Sequence, residues 1–96
     1  MEKQEKELIK NHNDKGIFDK NNAEYYNNRG DLYVEQEKYK EAIEDYNKAI
    51  KLDGKKAKYY CNRGDVYSFQ GKYEEAIEDY NKAISLDGDE SEYYFS

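Results

Sequence analysis

An all-α protein, an α-solenoid of stacked helix-turn-helix units, is what this sequence predicts, and three observations predict it. Residues 25–54 laid over 59–88 give 30 aligned pairs, of which 23 are identical, so the chain repeats itself with a period of 34. A period of that length marks stacked supersecondary units, each too thin to bury its apolar face alone. Within a unit, small and aromatic residues recur at steps of three, four and seven, the spacing of one helix face. The third observation is punctuation: the chain has no proline, and Gly54, Gly71 and Gly88 stand between or after the helical runs. The period-two alternation of strands is missing.

The elements follow in chain order. Residues 1–22 look like polar filler until KELIKNHN at Lys6 is set over KEAIEDYN at Lys40, where Lys6, Glu7, Ile9 and Asn13 are identical. We read this segment as a decayed second helix of a preceding unit, or an N-terminal cap, packing through Leu8, Ile9, His12, Ile17 and Phe18; the alternative is a disordered leader. Residues 23–56 form the first full unit. Tyr26, Gly30 and Tyr33 mark its first helix, and Tyr39, Ala42, Ile43, Tyr46, Ala49 and Ile50 its second. Gly30, Ala42 and Ala49 let the two backbones approach while tyrosine and isoleucine fill the outer gaps. Residues 57–90 repeat the pattern, and SEYYFS at 91–96 restarts it, as AEYY does at Ala23, then stops: the start of a truncated third unit.

Composition narrows the class. Ninety-six residues suffice for one small domain, and 12 tyrosines dominate a 36% hydrophobic fraction, so the core must be largely aromatic. Charged residues make up 40% of the chain with both signs interspersed, and the net charge of −6 argues against nucleic acid or an anionic membrane as partner. No apolar run has the length of a signal-peptide core or a spanning helix. One cysteine, Cys61, excludes an internal disulfide framework and fits a reducing compartment, so a cytoplasmic location is expected.

Tyr26, Gly30, Tyr33, Ala42, Tyr46 and Ala49, answered in the second copy by Tyr60, Gly64, Tyr67, Ala76, Tyr80 and Ala83, resemble the signature of the tetratricopeptide repeat family. The resemblance covers residues 23–90 and implies two repeats of paired helices, 23–56 and 57–90. Two places depart from the family pattern. Arg29 and Arg63 stand where leucine is usual, and we expect them to pair with Asp45 and Asp79 on the second helices. Gly54 and Gly88 stand where proline usually follows "LD", which loosens the inter-repeat turns.

The repeated Arg-Gly-Asp at Arg29 and Arg63 invites an adhesion reading. That motif needs an exposed loop, whereas in a helix Arg and Asp two residues apart point about 200° apart; adhesion is a remote alternative. DGDES at Asp87 has the first ligands of a calcium loop but Glu92 where glycine is required, so it reads as a solvated acidic turn. One histidine, His12, and one cysteine, with no nucleophile-base pair or ligand cluster, point to a non-enzymatic chain with no cofactor and no metal.

The resemblance implies a concave groove lined by first helices: Glu24, Asn27, Asn28, Asp31, Val34 and Glu35, then Lys58, Cys61, Asn62, Asp65, Ser68 and Phe69. The copies diverge there, at Asn27/Cys61, Val34/Ser68 and Glu35/Phe69. Asn28 and Asn62 offer amides to a peptide backbone, while Lys58 and Phe69 suit a carboxylate and an apolar side chain; the alternative is a merely solvated face. Some family members clamp the C-terminal carboxylate of chaperone tails with a lysine and an asparagine. The matching places here hold Asn27 or Cys61 and Asp31 or Asp65, and an aspartate would repel that carboxylate. The function expected is a protein-protein interaction scaffold binding a peptide or protein segment in the groove. The alternative is a self-associating structural module, a homodimer or larger homo-oligomer formed through uncovered terminal helices.

Overall fold

A computed structural model describes residues 21–87 as four helices in two hairpins: α1 (Ala23–Glu35), α2 (Tyr39–Leu52), α3 (Ala57–Phe69) and α4 (Tyr73–Asp87). The expected helix within 1–22, with His12, and the segment 91–96 lie outside the described residues, as does Gly88.

The hairpin turns are built alike. The N–H of Lys38 donates to Tyr33 O (2.9 Å) and that of Glu37 to Val34 O (2.9 Å), while Lys72 donates to Tyr67 O (2.8 Å) and Gly71 to Ser68 O (3.0 Å). This paired pattern is a Schellman stop, whose pivot residue must take the left-handed conformation. Gly71 does so at φ 78° with open space around it, and Glu37 does so at φ 59° with a side chain to accommodate. Gly54 has no positive φ, so α2 ends without a left-handed glycine. Instead Gly54 O accepts from the Tyr60 hydroxyl at 3.1 Å.

Within each hairpin the helices meet at the small residues. A Cβ at Gly30 would stand 2.7 Å from Cε1 of Tyr46, and one at Gly64 would stand 3.1 Å from Cε1 of Tyr80. Ala42, Ala49, Ala76 and Ala83 are buried beside them. Tyr25 and Tyr59, outside the stripe read from the sequence, are buried more deeply than Tyr33 and Tyr67.

The hairpins stack through α2 and α3. Tyr25, Tyr26, Ala49 and Tyr59 form one cluster and Ala42, Tyr46 and Val66 another. Ala42 near the start of α2 thus meets Val66 near the end of α3, and Ala49 meets Tyr59 the other way round, so the two helices run antiparallel. Ile43 packs against the second cluster, whereas its counterpart Ile77 on α4 is 50% exposed. Tyr80 is buried and points inward at Gly64.

Candidate functional site

The arginines are the first polar feature the helices position. Arg29 grips Asp45 with Nε–Oδ2 at 2.8 Å and a second nitrogen on Oδ1 at 2.9 Å, and Arg63 grips Asp79 at 2.8 and 2.7 Å. Both aspartates are buried, so each fork neutralises a carboxylate that water cannot reach. The hydrogen bonds from the guanidinium to the carboxylate hold both arginines above their ordinary pKa. In each tripeptide the arginine is spent on the second helix, the glycine lies under a tyrosine ring, and the aspartate accepts from that ring's hydroxyl. The Tyr46 hydroxyl donates to Asp31 Oδ1 and the Tyr80 hydroxyl to Asp65 Oδ1. The Arg-Gly-Asp segments therefore sit in helices α1 and α3, with no extended loop to present them.

A row of contacts joins the repeats. Lys58 Nζ lies 2.7 Å from Glu24 Oε1, the Tyr59 hydroxyl donates to Glu24 Oε2 at 3.3 Å, and Asn62 Nδ2 donates to Asn27 Oδ1 at 2.8 Å. Arg63 also donates to Asn47 Oδ1 at 2.7 Å, reaching back to α2. Asn27 is only 3% exposed. Glu24, Asn27 and Lys58, expected to face a ligand, thus form the seam between repeats. The reason is that equivalent first helices lie side by side, so a side chain aimed along the stack meets its neighbour's partner.

Beyond the seam a groove of about 360 Å³ opens between α1 and α3. Asp31, Val34 and Glu35 line it from α1, and Asn62, Asp65, Val66 and Phe69 from α3, with Tyr46 of α2 at the floor. Six of the twelve groove residues expected from the sequence, Asp31, Val34, Glu35, Asn62, Asp65 and Phe69, are brought together here. Asn28 is exposed but does not line the groove, and neither does half-buried Cys61 or Ser68. Tyr46 and Val66 were missed because they belong to the packing stripe. The signal for Tyr46 was present, since the tyrosine and its aspartate recur in both copies at the same separation.

Asp31 is exposed as a residue, but partial desolvation of its carboxyl pushes it up from its ordinary range, the Tyr46 hydrogen bond and Lys58 draw it down, and Glu24 and Glu35 push it up again. Burial, then the bond to Asp31, raises the Tyr46 hydroxyl well above its usual value. Phe69, 59% exposed, stands at the rim with its ring 5.7 Å from that of Tyr39. Among the described residues no three His, Cys, Asp or Glu side chains gather as metal ligands, and no helix is long and apolar enough to cross a membrane.

Comparison with known proteins gives the groove a context. No curated protein matches the chain. Among solved structures, the second TPR domain of human RPAP3 in complex with the HSP70 peptide SGPTIEEVD is 31% identical, with a TM-score of 0.79, over 94% of this chain and 75% of that one. The second TPR of Spaghetti (RPAP3), bound to the HSP90 peptide SRMEEVD, is 32% identical over 90% of this chain and 80% of that one, with a TM-score of 0.76. A crystal structure of MamA is 28% identical, with a TM-score of 0.78 over 88% of this chain, which spans about half (49%) of its length. The family model described as TPR repeat matches residues 30–68 and that described as Tetratricopeptide repeat matches 57–90. With four helices in two hairpins and these matches across most of the described residues, the chain belongs to the tetratricopeptide repeat family.

Proposed function

We propose that this chain is a non-enzymatic interaction module that binds a peptide or protein segment in the groove between α1 and α3. One observation carries the reading: the groove gathers an exposed aromatic, Phe69, with Val34 and the carboxylate of Glu35 at positions that neither hairpin needs for its own closure, and Asn62, whose Nδ2 already donates to Asn27 across the seam, borders it. Of the seven pairs at which the repeats differ, three, Leu32/Val66, Val34/Ser68 and Glu35/Phe69, contribute residues to it. The neighbours whose structures contain HSP70 and HSP90 peptides support the general reading, because they present short segments to the same fold. A cytoplasmic setting belongs to the same proposal and rests on the lone thiol of Cys61.

The test is a nuclear magnetic resonance titration of the full chain with acidic, basic and neutral apolar peptides, followed by the same titration of Phe69→Ala. Shifts at Val34, Asn62 and Phe69, and weaker binding in the variant with an unchanged helical spectrum, are expected. Binding that leaves these residues unmoved and survives the substitution overturns the proposal.

A second reading, self-association, is favoured by Ile77. It is half exposed on α4 where Ile43, its equal in the first repeat, is covered by the next hairpin.

A further inference from the structure

The groove has a floor and a rim of different chemistry. Val34 and Val66 supply aliphatic surface and Phe69 an exposed ring, while Asp31, Glu35 and Asp65 place three carboxylates around them. No lysine or arginine lines it. Lys58, the cation that bears on Asp31, is held at 2.7 Å by Glu24 on the seam, and Arg63 is committed to Asp79 and Asn47. The rim therefore carries negative charge in excess of any neutralising group, in a chain whose net charge is −6.

We propose that this groove is selective for a cationic, apolar segment of a partner protein: a lysine or arginine among Asp31, Glu35 and Asp65, with a neighbouring aliphatic or aromatic side chain against Val34, Val66 and Phe69. The inference rests on the groove reading above and adds the partner's chemistry to it. Charge complementarity sets the sign, because like charges brought together across a contact oppose binding as strongly as opposite charges favour it. Acidic tails such as SRMEEVD and SGPTIEEVD, seen with the neighbouring domains, would bring carboxylates against carboxylates here. The nearness of Glu24 and Glu35 to the exposed Asp31 adds to the argument, since an incoming cation relieves a repulsion already present in the free protein. The three rim carboxylates are not gathered as metal ligands, so the cation that suits them is a long side chain, whose stem can also lie on the apolar floor. A groove of about 360 Å³ is near the small end of the range for ligand sites and accepts a few side chains of an extended segment.

The probes are two end-blocked heptapeptides, one alternating lysine with leucine and the other glutamate with leucine, followed by fluorescence anisotropy at low and physiological salt. The lysine peptide should bind at least about tenfold more tightly, and the gap should narrow with salt as screening shortens the reach of the rim. Glu35→Lys should weaken the lysine peptide by roughly three- to tenfold. The variant will fold, because Glu35 is exposed and a cation in the last turn of α1 suits the helix dipole. Glu78→Lys, the same charge change at an exposed site on α4, should alter affinity by less than about twofold at physiological salt. Equal losses in the two variants would show diffuse attraction and overturn the inference. Tighter binding of the glutamate peptide, abolished by Phe69→Ala, would overturn the charge assignment while leaving the groove in place. Binding of the lysine peptide that ignores both Glu35→Lys and Phe69→Ala would remove the groove as well, and failure of the lysine peptide to bind at millimolar concentration overturns the inference.

Discussion

The two arginine forks are the strongest single-residue commitments in the molecule. Arg63 and Asp79 have side chains only 21% and 7% exposed, and the fork places two hydrogen bonds on the carboxylate while a third nitrogen reaches Asn47 of the preceding repeat. Removing the guanidinium leaves Asp79 buried and charged without a partner, so Arg63→Ala should cost roughly 2–4 kcal/mol in a urea or thermal unfolding curve. Arg63→Lys should recover only part of this, because an ammonium cannot make the planar fork. A loss below about 0.5 kcal/mol would place the pair among surface bridges of little worth. The tyrosines give a second residue-scale expectation. Burial, then the charge and hydrogen bond of Glu24, pushes Tyr59 up to about 12, and burial followed by an aspartate partner raises Tyr46 and Tyr80 further. An unfolded tyrosine loses its proton near about 10, so the contribution of these groups is intact below that pH and is lost as pH rises toward and through 12. Stability should fall by roughly 1.4 kcal/mol per pH unit for each of them above about pH 10. Absorbance at tyrosinate wavelengths, recorded with circular dichroism, checks this: the buried tyrosines should ionise together with loss of helix, and independent ionisation of a still-folded chain would contradict it.

At the scale of the elements, the two hairpin turns share one set of hydrogen bonds and differ in one residue. Gly71 meets the left-handed requirement without steric cost, whereas Glu37 holds the same conformation with a Cβ that crowds the neighbouring carbonyl. Glu37→Gly should therefore stabilise the fold by about 0.5–1 kcal/mol, seen as a higher melting temperature with unchanged helix content. A lower melting temperature would mean that the flexibility glycine gives the unfolded chain outweighs the strain it removes. The helix starts also differ. Asn22 accepts from the Tyr25 N–H at 3.3 Å and caps α1, while Lys56 begins α3 with no side-chain cap. The second repeat thus has the better turn and the first the better cap.

The whole molecule, as far as the described residues go, is two hairpins joined through the α2–α3 face. Repeat stability is a sum of unit and interface contributions, and one such interface gives little cooperativity, so thermal unfolding should be broad. The outer face of α4 repeats the face that α2 buries. Ile77 and Tyr73 are exposed there, at the places where Ile43 is packed and Tyr39 stacks near Phe69. On the self-association reading, sedimentation at rising concentration should show the 11.5 kDa chain forming a dimer. Ile77→Lys should return it to monomer without loss of helix, since the substitution falls on an exposed position. A wild-type chain that stays monomeric throughout would end that reading and leave the groove proposal untouched.

The architecture was legible from the order of residues alone, because its signals are local and repeated. Helical spacing, the turn at Gly71, the close approach at Gly30 and Gly64, and the pairing of Arg29 with Asp45 all lie within one hairpin, where residue separation nearly dictates position. Half of the expected groove residues were legible for the same reason: Asp31, Val34, Glu35, Asn62, Asp65 and Phe69 lie on the open face of the first helices and meet at the groove. Which of their neighbours remain available depends instead on how the hairpins stack. Glu24, Asn27 and Lys58 are spent on the seam, and Asn62 shares in it through its Nδ2, because the offset between stacked hairpins brings them against the neighbouring repeat, and no single unit contains that offset. Ile43 and Ile77 make the point most directly. They occupy the same place in matching stretches of sequence, yet one is packed and the other half exposed, because among the described residues α3 packs on α2 and no helix packs on the outer face of α4.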